Sequence, residues 1–392
     1  MHDVVVVGAG PTGCYAAREL ARLGYGVLVL EEHAEIGEPV HCTGVLGAEI
    51  YQRFDLDSTC VQDRLSSARF ISPSGRSFRV ASDQPPALLV DRRKFDRSLA
   101  QQALSAGASF LLGAKADHIA VTDDKAVVHT ACLGERLSFP TALVILATGA
   151  EDPLARQLGL AERSAPAMFG GQLFVQNRAL EEVEVHLSPT LAPGGFAWAV
   201  PVNGNGCRVG LLTGKHAPQR LRRFARALET RGAIHRNGAA ITCRAVPTGP
   251  RTPSFADRVL VIGDAAGQVK STTNGGIYYG LLGADAAVRT AHQALRTGDV
   301  SAARLARYER QWLGRIGTEQ RLGSILRRVH STLTDRDVEA LFWLVRRTGL
   351  PRMFSRLRFD WHTAGLLNLL WRDLIGAATT GSHRTALDPE AN

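Results

Sequence analysis

The sequence predicts an α/β (α+β) fold: a Rossmann-type domain, an antiparallel-sheet domain inserted into it, and a C-terminal helical region. Three observations carry that reading. Residues 4–31, VVVVGAGPTGCYAARELARLGYGVLVLE, read as a buried strand, a glycine-rich turn, an amphipathic helix, a second buried strand and a terminal acid. Residues 258–287, RVLVIGDAAGQVKSTTNGGIYYGLLGADAA, run from a hydrophobic strand through a small-residue loop into a helix. Between them, residues 166–215 alternate apolar and polar residues with Gly and Pro breaks, as half-buried antiparallel strands do.

Taken in order, the first strand leads into Gly8, Gly10 and Gly13 in the G-x-G-x-x-G spacing. Gly8 allows the tight turn, Gly10 leaves room for a pyrophosphate, and Gly13 lets the helix pack close to the sheet. The N-terminus of that helix offers free N–H groups and a partial positive charge to phosphates. Glu31 ends the second strand, where a carboxylate can accept hydrogen bonds from an adenosine ribose. Together these residues mark a dinucleotide site. A two-stranded excursion is expected at 66–90, turning at SPSGR (72–76), then a helix running to Ser105. A strand near 109–113, a meander at 116–140 and a strand at 142–147 follow. GGQLFVQ, VEVHLSP, GFAWAVPV and GCRVGLLT supply the antiparallel sheet, and a helix is expected at 218–230. The strand Val259–Ile262 runs into Gly263 and Asp264. From 301 onward apolar residues recur at helical spacings, as in Leu341, Leu344 and Val345. The expected boundaries are 1–60, 91–160 and 245–300 for the Rossmann-type domain, 61–90 and 161–244 for the sheet domain, and 301–392 for the helical region.

A chain of 392 residues, 45% hydrophobic and 21% charged, suits a soluble globular protein with room for two domains. The six cysteines (14, 42, 60, 132, 207 and 243) are scattered without C-x-x-C pairing, so reduced thiols are expected, and neither a disulfide framework nor a metal site. The first strand begins almost at Met1, so no leader is expected, and no run approaches the ~20 apolar residues of a membrane span. The net charge of +9 is uneven: residues 301–392 hold 15 Arg against 9 Asp and Glu. A basic end of this kind suits membrane phosphates or an acidic partner, and no nucleic-acid motif accompanies it. In the same region Trp312, Trp343, Trp361 and Trp371 stand among arginines, a pattern that suits helices lying on a membrane surface and also plain amphipathic packing helices. The expected location is the cytoplasm, with the inner face of the membrane as an open alternative.

Asp264, ending its strand, can bond the ribityl hydroxyls of a flavin. The backbone N–H groups of Gly275, Gly276 and Ile277 can face the pyrimidine end of its ring. This segment resembles the FAD-dependent p-hydroxybenzoate hydroxylase superfamily, and the resemblance makes the cofactor FAD. Within it, four segments are similar to geranylgeranyl reductases of the archaeal type: the first fingerprint, GEPVHCTG (37–44), PGGFAWAVP (193–201) and GDAAGQVKSTTNGGI (263–277). The third matches the family's P-x-x-Y-x-W-x-F-P, with Phe196 in place of Tyr and Val200 in place of Phe. In the fourth, Ser271 and Asn274 stand where Pro and Gly are common.

The resemblance implies reduction of isoprenoid C=C bonds, which needs a hydride from reduced flavin, a proton for the other carbon, and a dry pocket. It places Cys42 near the flavin ring and substrate, with His41 beside it as a candidate proton relay, and Arg92 near the FAD phosphate or ribose. Phe196 and Trp198, two apart on a strand, point to one face and can line a channel for an isoprenoid tail, with Pro201 closing the motif. The expected substrate is an isoprenoid or prenylated lipid. NAD(P)H, a ferredoxin and a membrane quinol stay open as electron donor. Two other readings share the same cofactor: a monooxygenase or halogenase of the superfamily, and a non-redox isomerase or cyclase. Product mass separates all three.

Overall fold

The computed structural model describes residues 1–132, 134–160, 168–348 and 358–361. Strands His2–Val7 and Val27–Glu31 lie parallel and are joined by helix Pro11–Arg22. Their side chains alternate between two cores, so both strands read as continuous apolar runs. Val4, Val6, Val27 and Val29 face helices Pro11–Arg22, Arg92–Ser105 and Ile277–Thr297. Val5, Val7, Leu28 and Leu30 face the opposite layer, which includes the hairpin Ala114–Val121 and Ala126–Cys132. The sheet order is Phe255–Ala256, Val259–Val261, Glu135–Leu146, His2–Val7, Val27–Glu31, Ser109–Leu112. The α/β expectation therefore holds, and both glycine-rich loops leave the same end of this sheet.

A second sheet of eight strands carries Met168–Asn177, Gly206–Thr213, Phe196–Val202, Val183–His186, Ser67–Ile71 and Ser77–Ala81 side by side. Strands Ile234–His235 and Thr242–Val246 both pair with Met168–Asn177. One face of this sheet packs on helix Ala217–Thr230 through Leu173, Ala197, Ala199, Leu211, Leu221 and Phe224. The excursion expected at 66–90 divides. Its hairpin joins the large sheet, whereas Ala87–Val90 pairs with Val45–Gly47 and Val61–Leu65 in a separate three-stranded sheet. That small sheet anchors the base of loop 37–44.

In the helical region, Ser301 caps helix Ala302–Thr332 and a Thr334–Asp337 capping box starts helix Asp335–Arg347. The second helix docks through Val338 and Phe342, with the Phe342 ring 5.1 Å from that of Phe78. Leu341 and Leu344 lie off that docking face and are exposed. The tryptophans also separate. Trp312 is 1% exposed and donates to Ser254 Oγ at 3.2 Å, so it belongs to the core and not to a surface. Trp361 packs against Tyr279 at 5.7 Å, and Trp343 is 49% exposed. Trp371, residues 161–167 and the rest of the expected helical region lie outside the described residues. Among the described residues no helix is long and apolar enough to cross a membrane, and no cluster of His, Cys, Asp and Glu is arranged to hold a metal.

Candidate active site

A single cavity of about 1510 Å³ joins both glycine loops, the loop 37–44 and the free face of the large sheet. That exceeds the ~300–1,000 Å³ of a pocket for one small ligand. Its nucleotide end is made of backbone. Gly8 has φ +106°, and a Cβ there would overlap the Ala147 carbonyl. A Cβ on Gly13 would overlap the Gly8 carbonyl, whereas one on Gly10 would meet nothing within 4 Å. Gly10 is also the N-cap of helix Pro11–Arg22, with no side chain capping it, so the first N–H groups face the cavity. Glu31 accepts from the Ala9 N–H at 2.8 Å and from the His33 N–H at 3.0 Å, which fixes its carboxylate at the cavity edge.

The second loop completes this end. Gly263 has φ +69° and packs on Thr12 of the first loop, where a Cβ would come 3.1 Å from its Oγ1. Enclosure by protein pushes the Asp264 carboxyl up to about 6, with Arg251 and Arg92 opposing the shift. A Cβ on Gly276 would overlap Asp264 Oδ1. Gly276 is the N-cap of helix Ile277–Thr297 and, like Gly10, has no side-chain cap. Two uncapped helix N-termini, an open Gly10 and a half-buried acid at the cavity wall fit FAD, and could hold its phosphates, ribityl chain and ring.

Loop 37–44 forms the wall beside these residues. Cys42 and His41 both line the cavity. Arg92 holds Asp96 through three contacts at 2.9, 3.0 and 3.2 Å and lies within hydrogen-bonding reach of the Cys42 thiol. Burial, reinforced by Arg244, His33 and Arg92, pushes the His41 imidazole down to about 4, so it is uncharged at neutral pH. Both its ring nitrogens are buried without a partner. The candidate relay His41 therefore stands in this wall as a neutral ring.

Sequence reasoning missed the residue that holds this loop. Arg208 crosses from the large sheet to donate to the carbonyls of Thr43 and of Val90, the latter at 3.0 Å, and to Gln62 Oε1 at 2.8 Å. Gly44 is required beneath it: a Cβ there would come 2.7 Å from the guanidinium and 2.6 Å from the Val90 carbonyl. Nothing in the local sequence announces a pairing across 165 residues.

The sheet face supplies the apolar end. Cross-strand register puts Phe70, Val185, Trp198, Gly210 and Gln172 in one row. The next row carries Phe196, Leu212, Gly170 and Arg244. Trp198 lies over Gly210, where a Cβ would overlap its indole. Phe196 stands 5.5 Å from Trp198, and both line the cavity. Pro201 does not. Strand alternation turns it to the face of Ala197 and Ala199, which packs on helix Ala217–Thr230, so its expected place at the substrate is corrected.

The fold and this site define an FAD-dependent oxidoreductase. The FAD dependent oxidoreductase family model matches residues 3–70. The chain is 30% identical over 368 residues to digeranylgeranylglycerophospholipid reductase 1 of Methanococcoides burtonii, covering 90% of this chain and 89% of that one. It is 32% identical over 357 residues to the protein of the same name from Methanothermobacter thermautotrophicus, covering 86% and 89%. The chain belongs to the digeranylgeranylglycerophospholipid reductase family. Among solved structures, a geranylgeranyl bacteriochlorophyll reductase-like protein from Thermoplasma acidophilum superposes with TM-score 0.84 at 23% identity, covering 97% of this chain and 98% of that one. The halogenase PltM in complex with FAD superposes with TM-score 0.68 at 18% identity, covering 98% and 93%, a likeness of fold.

Proposed function

We propose that the chain saturates C=C bonds of an isoprenoid chain carried on a polar lipid, as the names of its relatives say of them. The observation that carries this is the continuity of the cavity: the loops that fit FAD open directly onto the apolar face bearing Phe70, Val185, Phe196, Trp198 and Leu212. A second ligand threaded along that face reaches the flavin end without leaving the protein. Bound FAD, once reduced, supplies the hydride. The chain's residues do the rest. The aromatic face orients the alkene and excludes water, and Arg208 and Arg92 hold the loop that presents Cys42, from which the proton for the second carbon is delivered. Neutral His41 shapes the same wall and offers a ring N–H.

Supply of the substrate is read from the helical region. Leu326, 39% exposed, lines the cavity, and Ile325, Val329, Leu341, Trp343 and Leu344 are exposed on the same two helices. Arg321, Arg328, Arg336, Arg346 and Arg347 stand among them. Apolar side chains mixed with arginines suit a shallow contact with an anionic bilayer, from which a lipid tail enters the cavity. Electrons come from NAD(P)H, a ferredoxin or a membrane quinol.

The test is anaerobic incubation of the reduced holoprotein with a geranylgeranyl lipid, read by mass spectrometry. A gain of two hydrogens per alkene, lost in Cys42→Ala, supports the reading. Oxygen incorporation in air without hydrogen gain overturns it in favour of a monooxygenase, and unchanged mass with altered retention favours a cyclase. Sedimentation with anionic vesicles tests the surface contact. Binding should fall at least fivefold in Leu341→Ser/Trp343→Ser and stay unchanged if the helices do not meet the bilayer.

A further inference from the structure

Lys270 is a buried cation in the cavity wall, 5% exposed. It belongs to the loop that carries Gly275, Gly276 and Ile277. Its N–H donates to the Gly275 carbonyl at 3.1 Å, and its stem lies against Gly275, where a Cβ would sit 2.8 Å from Lys270 Cε. The ammonium is 2.8 Å from Asp360 Oδ1 and 4.1 Å from the centre of the Phe359 ring. Lys270 and Phe359 line the cavity, and Asp360, 3% exposed, stands behind them.

The acid reaches this place from far along the chain because segment 358–361 is fastened at several points. Arg358 pairs with Glu49 at 2.6 Å, and Trp361 Nε1 donates to Glu49 Oε1 at 3.1 Å. Tyr279 Oη donates to the Asp360 carbonyl at 2.9 Å. The second carboxylate oxygen of Asp360 lies against Gly47, where a Cβ would overlap it, and has no hydrogen-bond partner. Such a pair is a poor stabilising device. Desolvating two charges offsets their attraction, and apolar residues of similar volume serve stability as well or better. What an apolar pair cannot supply is a fixed charge at the ring end of the flavin site. Two-electron reduction of a flavin with uptake of one proton adds one negative charge to it. A cation in the wall favours that charge, and an acid behind the cation moderates it.

We infer that the Lys270–Asp360 pair sets the reduction potential of the bound flavin, and that segment 358–361 is part of the flavin site. The inference requires bound FAD and no isoprenoid substrate, so it stands or falls apart from the reaction proposed above. The experiment uses full-length holoprotein without substrate, equilibrated anaerobically with a reference dye at pH 7 and followed by flavin absorbance. Asp360→Asn leaves the cation unmoderated and should shift the reduction equilibrium at least tenfold toward reduced flavin, about 30 mV for a two-electron couple. Lys270→Met should shift it at least tenfold the other way. The double variant should fall between the single ones. Single variants that shift in the same direction, or three variants within twofold of the wild type with FAD bound, overturn the inference. Should Lys270→Met fail to retain FAD, Asp360→Asn against the double variant decides. A higher potential in the single variant supports the charge role, and equal potentials refute it.

Discussion

The two ends of the cavity are built by different means. The nucleotide end is mostly backbone: glycines without side chains, two uncapped helix N-termini and two acids, Glu31 and Asp264. The sheet end is side chains: aromatics and one clamping arginine, placed by cross-strand register. The first end depends on atoms that must be absent, the second on atoms that must be held. Substitutions at the two ends should therefore fail in different ways.

The largest contrast lies within the glycine loop. Gly13→Ala drives a methyl group into the Gly8 carbonyl, and backbone cannot retreat cheaply. It should cost the apoprotein about 3 kcal/mol or more and abolish FAD binding. Gly10→Ala meets nothing within 4 Å, so its thermal midpoint should match the wild type while FAD affinity falls about a hundredfold. Thermal melts with FAD titration separate the two. Equal destabilisation would show that Gly10 is a turn residue and not space kept for a ligand.

Asp264 sharpens the same end through pH. Its folded carboxyl is raised from an ordinary value near 3.8 to about 6, so the folded apoprotein takes up this proton before the unfolded chain does. Carrying the charge costs stability above pH 6, and the cost disappears as pH falls from 6 toward 3.8. At ~1.36 kcal/mol per unit this is at most about 3 kcal/mol. Asp264→Asn apoprotein should be more stable than wild type at pH 8, equal to it at pH 4, and weaker for FAD. Urea melts at the two pH values check the sign.

At the sheet end the expected failure is kinetic. Arg208→Leu removes the donors to Thr43, Val90 and Gln62, so loop 37–44 loses its anchor while the FAD loops are untouched. Turnover should fall about tenfold, with FAD affinity within threefold of wild type. Loss of FAD instead would place the loop in the nucleotide end.

What was legible in the sequence follows the same division. Gly8, Gly10, Gly13, Glu31, Asp264 and Gly275–Ile277 were readable because backbone constraints repeat at fixed short spacings. Phe196 and Trp198 were readable because two-residue alternation puts them together, and the same alternation removes Pro201. Arg208 and the Lys270–Asp360 pair were not, since their partners lie 165 and 90 residues away. His41 was visible as a residue but not as a neutral one, because its state is set by burial and by arginines from other segments. The stripe Leu341, Leu344, Val345 marked a helix correctly, but the face that docks carries Val338 and Phe342. Phe78, which receives Phe342, lies on a strand more than 250 residues earlier.

The smallest expected effect tests whether the aromatic face measures chain length. Trp198 keeps its place because Gly210, opposite it in the neighbouring strand, has no side chain. A methyl group in Gly210→Ala overlaps the indole and must tilt it into the cavity, narrowing the channel without touching the FAD loops. KM for a geranylgeranyl lipid should rise a few-fold, that for a shorter prenyl lipid should change less, and kcat and FAD affinity should hold. Trp198→Phe in the Gly210→Ala background removes the overlapping atoms and should restore the longer substrate. If both lipids weaken equally, or the second substitution restores nothing, the row of aromatics is sheet core that happens to border the cavity, and chain length is set elsewhere.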